Sequence, residues 1–451
     1  MIRYNFLRIL FLLMALHLCS CKKYLDEKSD KQLATPETVD DFQALMDAYY
    51  PVIGEFTCSG EVSADDYTIA DADYNNLDAD ADKRLYTWQP DYVSESGSFG
   101  NDWNKCYKAI YVSNAVLHDL EAKKMPGTDY IRGQALHWRA ARYLDALQVW
   151  APAYSSTTAA TDLGLPLRLD PDMNIPSKRA TVQQTYDQVI KDLREAIPLL
   201  RVREIGVGRP TKWAAYGLLA RAYLFMGNYE LALQQVLESL ALNDGLMDFN
   251  NLNPGDAYPI KRTNIEIGFL ATMRIADHLY SDRPKIAPAF YNSYDDNDLR
   301  KTLFFKTGVG GDIMFRGNYY DQRGIYITGI TTDEMYLMAA ECYARQNEVA
   351  KAMDILNKLL KTRWKAGMYS NLTAASKEKA LDIILKERRK ELLFRGLRWP
   401  DLKRLNRDGA NITLSRTVEG QTYTLPPNDP RYAIAIPEDI IDLTGMPQNK
   451  R

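Results

Sequence analysis

The chain has 451 residues, 46% hydrophobic and 25% charged, proportions ordinary for a globular protein and too apolar for intrinsic disorder. Its formal charge is −3, from 56 basic and 59 acidic residues with no run of basic ones, so composition offers no electrostatic case for nucleic acid. Against 13 Phe stand 29 Tyr and 7 Trp, an excess of amphipathic rings suited to interfaces and ligand platforms.

The first segment reads as an address. Arg3 and Arg8 precede an apolar run, Ile9 to Leu18, too short to span a bilayer and patterned as a secretory signal peptide over residues 1–20. Leu18-Cys19-Ser20-Cys21 then resembles a bacterial lipobox, with Cys21 as the lipidated first residue of the mature chain. The mature protein would be tied to a membrane by lipid and would not span it.

Apolar residues every three or four positions mark amphipathic helices along the rest of the chain. Thr35-Pro36 opens the first as N-cap and N1, striped by Val39, Phe42, Leu45, Met46 and Tyr49. Residues 54–101 break that pattern, with acids between Asp65 and Asp82 interleaved with Tyr67, Tyr74, Tyr86 and Trp88. Helical stripes resume at Trp103, Cys106, Tyr107 and Ile110, and again from about Thr128 to Trp150. Thr181 and Gln184 form a capping box for the helix carrying Tyr186, Val189 and Leu193.

Two later stretches match each other, which points to repeats. Leu219, Ala220 and Tyr223 precede Ala232 and Val236; Ala339, Ala340 and Tyr343 precede Ala352 and Leu356. Both follow the tetratricopeptide pattern, in which small residues let two helices approach and aromatics fill the groove between hairpins. Ala140 and Tyr143 begin a third such helix, whose partner is expected after residue 181. The matched hairpins are not tandem neighbours, because residues 245–330, rich in Asn, Asp, Gly, Pro and Tyr, lie between them. Strand-like alternation is confined to short pieces such as Ile325 to Thr328 and Tyr432 to Ile436. The expected class is mostly α: a tetratricopeptide-like helical hairpin scaffold with long irregular loop insertions and a few short strands. Scaffold helices are expected in about 36–50, 100–242 and 332–405 of a single domain, 21–451, with ligand-side insertions at about 54–101 and 245–330.

Several chemistries lack their motifs. There is no H-E-x-x-H, no G-x-S-x-G elbow and no Walker loop, and Gly308-Val309-Gly310-Gly311 reads as a turn. Cys58, Cys106 and Cys342 have no zinc-like spacing, and the apolar helical faces of Cys106 and Cys342 predict buried free thiols. The acids of 65–82 lack the ordering of an EF-hand and read as solvated loop residues. Glu387-Arg388-Arg389-Lys390-Glu391 reads as a structural ion network tied to Arg398 and Asp401, and Glu341 and Arg221 as a structural pair. No catalytic residue, cofactor or metal ligand is assigned.

The order of segments resembles the SusD/RagB family of Bacteroidetes outer-membrane lipoproteins. Tyr24-Leu25-Asp26 and Thr35-Pro36 follow the acylated Cys, then come the Trp103 helix, Gly164-Leu165-Pro166-Leu167 and Gly208-Arg209-Pro210-Thr211-Lys212. The C-terminal part carries Glu334-Met335-Tyr336-Leu337, the Glu387–Leu392 run, Gly396, Arg398-Trp399, Asp401-Leu402 and a closing strand at Ala435-Ile436-Pro437. The resemblance implies a lipid-anchored, surface-exposed nutrient-binding protein of the cell outer membrane. Its implied partner is a SusC-like TonB-dependent β-barrel transporter, above which it captures a glycan or, in some members, a peptide.

Ligand contacts are expected from the aromatic loops. Trp88 and Tyr86 lie just before the Trp103 helix, where family members present part of an aromatic arc to sugar rings, with Tyr74, Arg84 and Asn101 near them in sequence. A second set is expected from 277–326: Tyr280, Asp282, Tyr291, Tyr294 and Tyr319. A glycoside hydrolase would need two placed carboxylates, and no acidic pair here sits in a recognisable catalytic context.

Overall fold

The computed structural model describes residues 36–48, 52–90, 101–204, 206, 208–280, 282–308 and 310–451. The lipidation site read at Cys21, and the signal peptide before it, lie outside the described residues. The chain divides into two compact units, Met1–Phe42 and Gln43–Arg451, and the architecture below is that of the second.

Short helices come first in chain order: α1 (Val39–Met46), α2 (Ser59–Ser63), α3 (Asp71–Asn75) and α4 (Asp80–Tyr86). The long scaffold helices α5 (Asp102–Lys123), α6 (Asp129–Trp150), α7 (Val182–Leu199), α8 (Lys212–Met226) and α9 (Tyr229–Leu242) follow. Two single turns, α10 (Pro288–Tyr291) and α11 (Arg300–Leu303), interrupt the second insertion. Then come α12 (Thr332–Arg345), α13 (Val349–Lys361), α14 (Lys377–Glu391), α15 (Arg398–Arg407) and α16 (Glu438–Thr444).

Local chemistry starts the helices from α5 onward where the stripes predicted, whereas α1 begins at Val39 and not at Pro36, with Asp41 N–H donating to Thr38 Oγ1 at 3.2 Å. The backbone N–H of Gln184 donates to Thr181 Oγ1 at 3.1 Å while Thr181 N–H donates to Gln184 Oε1 at 2.9 Å, the reciprocal capping box expected for α7. Thr211, Asn228 and Ser376 cap α8, α9 and α14 in the same one-sided way, each accepting from the N–H three residues on. Gly227 ends α8 with φ +79°, a left-handed turn that lets α9 start at once.

The helices pair as antiparallel hairpins: α5 with α6, α6 with α7, α8 with α9 and α12 with α13. The small residues of the repeats, Ala220, Ala232, Ala339, Ala340 and Ala352, are fully buried at these helix contacts. Although Ala220 and Ala340 stand far apart in sequence, α9 packs directly on α12, so the two matching hairpins are neighbours in space. The insertion between them is looped out of the stack. Gly217 shows how close the approach is, since a Cβ there would sit 2.7 Å from Ile330 Cγ2 and 2.9 Å from Met335 Sδ.

Strands occur as three antiparallel two-stranded ribbons. These are β1 (Leu163–Pro166) with β2 (Arg179–Thr181), β3 (Phe305–Thr307) with β4 (Ile313–Phe315), and β5 (Leu414–Val418) with β6 (Gln421–Leu425). Gly308 donates to Asp312 O at 2.8 Å, closing the β3–β4 turn read from its glycines. The other strand expectations do not hold. Of 325–328 only Ile327 makes a single bridge, to Thr272. At 432–436, Ile434 N–H donates to Val149 O and Ile436 N–H to the Gln448 side chain, so no strand ladder forms.

The charged run on α14 is structural, as read. Arg300 holds Asp298, Glu387 and Glu391 at 2.7, 2.6 and 3.0 Å, and Arg363 joins Glu391 to Glu266 at 2.7 and 2.8 Å. Arg388 reaches Asp401 at 2.8 Å. Two pairings differ from expectation: Arg398 pairs with Asp65 at 2.6 Å, and Arg221 takes Glu334 while Glu341 takes Arg404, both at 2.6 Å.

Candidate functional site

The predicted site residues fall into two groups, those sealed in the protein and those still accessible. Trp88 is 5% exposed, its indole N–H donating to Ser63 O at 2.9 Å, because a buried ring N–H must find an acceptor. Tyr86 is 1% exposed, accepts from Ile69 N–H at 3.0 Å and stacks on His278 at 5.8 Å between centroids. Tyr294 donates to Lys390 O at 2.9 Å, and Tyr319 donates to Glu266 at 2.9 Å; both are buried. Asn101 is the N-cap of α5, its side chain accepting from Asn104 N–H at 3.0 Å. In this conformation none of these five presents its face or tip to a ligand.

Arg416 explains why the first insertion closes over its own rings. Its guanidinium lies 3.9 Å from the Tyr86 centroid and 4.8 Å from that of Trp88, and donates to the carbonyls of Tyr86, Val62 and Ala64. It comes from β5, so the β5–β6 ribbon is fastened across segment 62–88. Further hydrogen bonds join the two insertions beneath it. Thr68 and Lys285 exchange backbone bonds at 2.9 and 2.8 Å, and a His278 ring nitrogen lies 2.9 Å from Asp82 O.

Between α3–α4 and the β5–β6 ribbon lies an open polar groove of about 630 Å³. Tyr74, Lys83, Arg84 and Gln89 line one wall, Gln421 and Tyr423 the other, with Asp80 and Arg431 also in the lining. Two of the predicted residues, Tyr74 and Arg84, are therefore brought together here. Burial holds the Tyr74 phenol above its ordinary pKa, so it stays protonated and keeps a donor. Arg431 is held rigidly, pairing with Asp429 at 2.8 Å and donating to Trp88 O at 2.9 Å. Such a lining suits a polar ligand with flat faces: phenol rings at the walls, amides and guanidinium donors between them.

Tyr280, Asp282 and Tyr291 do not line this groove. Tyr280 is 48% exposed, Asp282 faces Arg323 and Lys306 at 3.2 and 3.6 Å, and Tyr291 packs edge-on against Phe305. Two other open grooves, of about 600 Å³ at the α5–α6 turn and about 470 Å³ beside α16, contain none of the predicted residues. Sequence reasoning missed Gln421, Tyr423 and Arg431. The one local signal was the alternation Gln421-Thr422-Tyr423-Thr424, which marks a strand with one wet face.

The acids of 65–82 are not uniformly solvated. Arg398 and Arg389 engage Asp65 at 2.6 and 3.1 Å, Arg389 engages Asp66 at 2.8 Å, and the guanidinium groups keep Asp65 down at about 2 despite its burial. Apart from the groove, α2, α6, α8 and α15 border a smaller cavity of about 40 Å³ whose lining includes Glu61, Asp145 and Trp399. Glu61 Oε1 and Trp399 Nε1 have no protein partner there. Burial lifts the carboxyl of Asp145 to about 7.

Comparison with known proteins decides the family. The SusD-like family described as starch-binding and associating with the outer membrane matches residues 23–224, and the SusD family matches residues 325–440. The chain belongs to the SusD/RagB family. Solved SusD-family structures share its fold. A SusD superfamily protein of Bacteroides thetaiotaomicron matches with a TM-score of 0.74 at 22% identity, covering 92% of this chain and 100% of that one. A SusD-like carbohydrate binding protein of Bacteroides vulgatus matches with a TM-score of 0.67 at 20% identity, covering 91% and 97%. By sequence, a SusD-like protein of Bacteroides ovatus is 24% identical over 233 residues, which is 48% of this chain and 38% of that relative's length.

Proposed function

We propose that this protein captures a glycan in the Tyr74–Tyr423 groove and delivers it to a SusC-like TonB-dependent β-barrel transporter, tethered to the outer membrane by a lipid on Cys21. The observation that carries the capture reading is the groove itself, open, polar and flanked by two phenol rings. Sugar rings offer an apolar C–H face to such rings while their hydroxyls take the amides and guanidinium groups between them. Family membership supports the compartment, since one matching family is starch-binding and associates with the outer membrane. The activity proposed is binding without turnover.

Calorimetry on residues 22–451 against a panel of oligosaccharides and peptides tests this reading, with Tyr74→Ala and Tyr423→Ala beside the wild type. Heat with a glycan that falls in both variants is the expected result. Heat with peptides alone would make the ligand a peptide, release of reducing sugar would make the protein an enzyme, and undiminished glycan binding in both variants would move the site. Purification from native membranes, with a large β-barrel co-eluting, tests the partner.

A further inference from the structure

The β5–β6 ribbon ends in a turn that its own sequence does not favour. The strand ladder closes at the Val418–Gln421 pair, leaving Glu419 and Gly420 as a two-residue loop with φ +50° and +77°. Two positive φ values are the pattern of a type I′ hairpin, whose first position most readily takes Asn, Asp or Gly. A longer side chain crowds its own backbone there. Glutamate in that place is strained, and such strain persists only where surrounding contacts hold it.

The contacts that hold it come from α3. Asn75 Nδ2 donates to Glu419 Oε1 at 2.8 Å, and Glu419 N–H donates to Asp71 Oδ1 at 2.9 Å. That N–H lies beyond the last ladder pair, so the hairpin itself does not use it. Asp71 and Asn75 are one helical turn apart on one face of α3, and Tyr74 is the residue before Asn75. On the ribbon, Tyr423 stands opposite Arg416, whose guanidinium fastens β5 to the carbonyls of Val62, Ala64 and Tyr86. The ribbon is thus tied to the first insertion at Arg416 and again at Glu419. Three residues of the groove wall, Gln421, Thr422 and Tyr423, run from the one tie to the other.

Resting on the capture reading above, we infer that Glu419, clasped by Asn75 and Asp71, is a positioning residue for the ligand. It fixes the tip of the ribbon, and with it the distance across the groove from Tyr423 to Tyr74. A ligand held by rings on opposite walls senses that distance directly. A gap of roughly 0.5–1 Å already forfeits a quarter to a half of each dispersion contact. A tip tied down in advance also has less freedom to lose when the ligand arrives.

The test is calorimetry on residues 22–451 with maltoheptaose, xylohexaose and mannohexaose, beside thermal melts. The variants are Asn75→Ala, Asn75→Gln, Glu419→Gly, the double Asn75→Ala/Glu419→Gly and, separately, Tyr74→Ala. The oligomer that the wild type binds best should bind about three- to tenfold more weakly to Asn75→Ala and to Glu419→Gly. The double variant should be no weaker than either single one, because the two changes remove the same tie. Asn75→Gln, which keeps the amide, should restore most of the affinity. Glycine suits a left-handed turn better than glutamate, so Glu419→Gly should lose affinity without a lower melting temperature. Wild-type affinity in Asn75→Ala, with binding lost in Tyr74→Ala, overturns the positioning role and leaves glycan capture standing. Losses that add in the double variant, or that come with a matching fall in melting temperature, overturn it as well. Binding of none of the three oligomers, or undiminished binding in Tyr74→Ala, overturns the capture reading and this inference together.

Discussion

Trp88 and Tyr74 sit fourteen positions apart and are expected to respond oppositely to truncation. Trp88→Ala removes a buried indole and strands Ser63 O, so it should cost about 3–5 kcal/mol of stability in urea denaturation. Tyr74 is only half-buried on the groove wall. Tyr74→Ala should cost about 1 kcal/mol of stability or less and weaken glycan binding roughly five- to tenfold. A sequence places both rings in one loop and cannot say which of them the rest of the chain will cover. Tyr86 and Arg416 stand 330 positions apart, and it is the arrival of Arg416 that buries Tyr86 and Trp88. At the same scale, Asp145 sets a pH response. Its folded-state pKa, lifted by burial to about 7, lies above its ordinary 3.8, so the folded state holds this proton more tightly than the unfolded chain. The stability it contributes is fully present below about pH 4 and is lost as pH rises through about 7. Burial raises Glu61 too, adding a loss of the same sign. Denaturation midpoints should therefore carry a component falling between pH 4 and 8. Asp145→Asn, which keeps an oxygen for Thr57, should flatten it; an unchanged slope in that variant would remove Asp145 as the source.

Among elements, α5 and α14 show what a local reading can and cannot reach. Asn101 stood beside the aromatic loop as a ligand candidate, yet its side chain starts α5. Asn101→Ala should cost about 1 kcal/mol, and Asn101→Asp or Asn101→Ser should restore most of it with ligand affinity unmoved, as measured by thermal melts alongside calorimetry. The cap was legible in principle, since Asn two residues before Trp103, the first periodic apolar position, is a start signal. On α14 the alternating charges were legible as a network tied to Asp401, but not the cations on Glu387 and Glu391, which are Arg300 of α11 and Arg363. Arg363→Met would leave buried Glu266 without its cation and Glu391 with Arg300 alone. A loss of about 3–5 kcal/mol in denaturant titration is expected, and a near-neutral effect would show the network to be dispensable. The helices themselves were read correctly because a 3.6-residue stripe is a property of adjacent residues. The missing strand at 432–436 has the opposite cause: alternation alone does not provide a neighbouring strand to pair with.

Over the whole of the second unit, segments 74–89 and 421–431 are brought together at the site. The β5–β6 ribbon forms one groove wall, and its hold on the first insertion passes through Arg416. Arg416→Lys keeps the charge but not the fork that reaches three carbonyls. Hydrogen exchange in 414–425 should accelerate at least tenfold in that variant and glycan binding should fall, while the amides of α8 and α12 stay protected. The looped-out insertion has a different consequence, for how readily such a protein can change its ligand. α9 docks on α12 while residues 245–330 loop out between them; within that insertion Phe269, Arg300 and Tyr319 are buried in the core, and exposed stretches such as 250–258 enter the scaffold's stability chiefly as loop. The entropy of closing a loop rises only with the logarithm of its length, and doubling it costs about 0.6 kcal/mol. Mutation can therefore lengthen, shorten or rewrite such exposed stretches at almost no thermodynamic penalty, while the stacked helices that carry them go on folding unaltered.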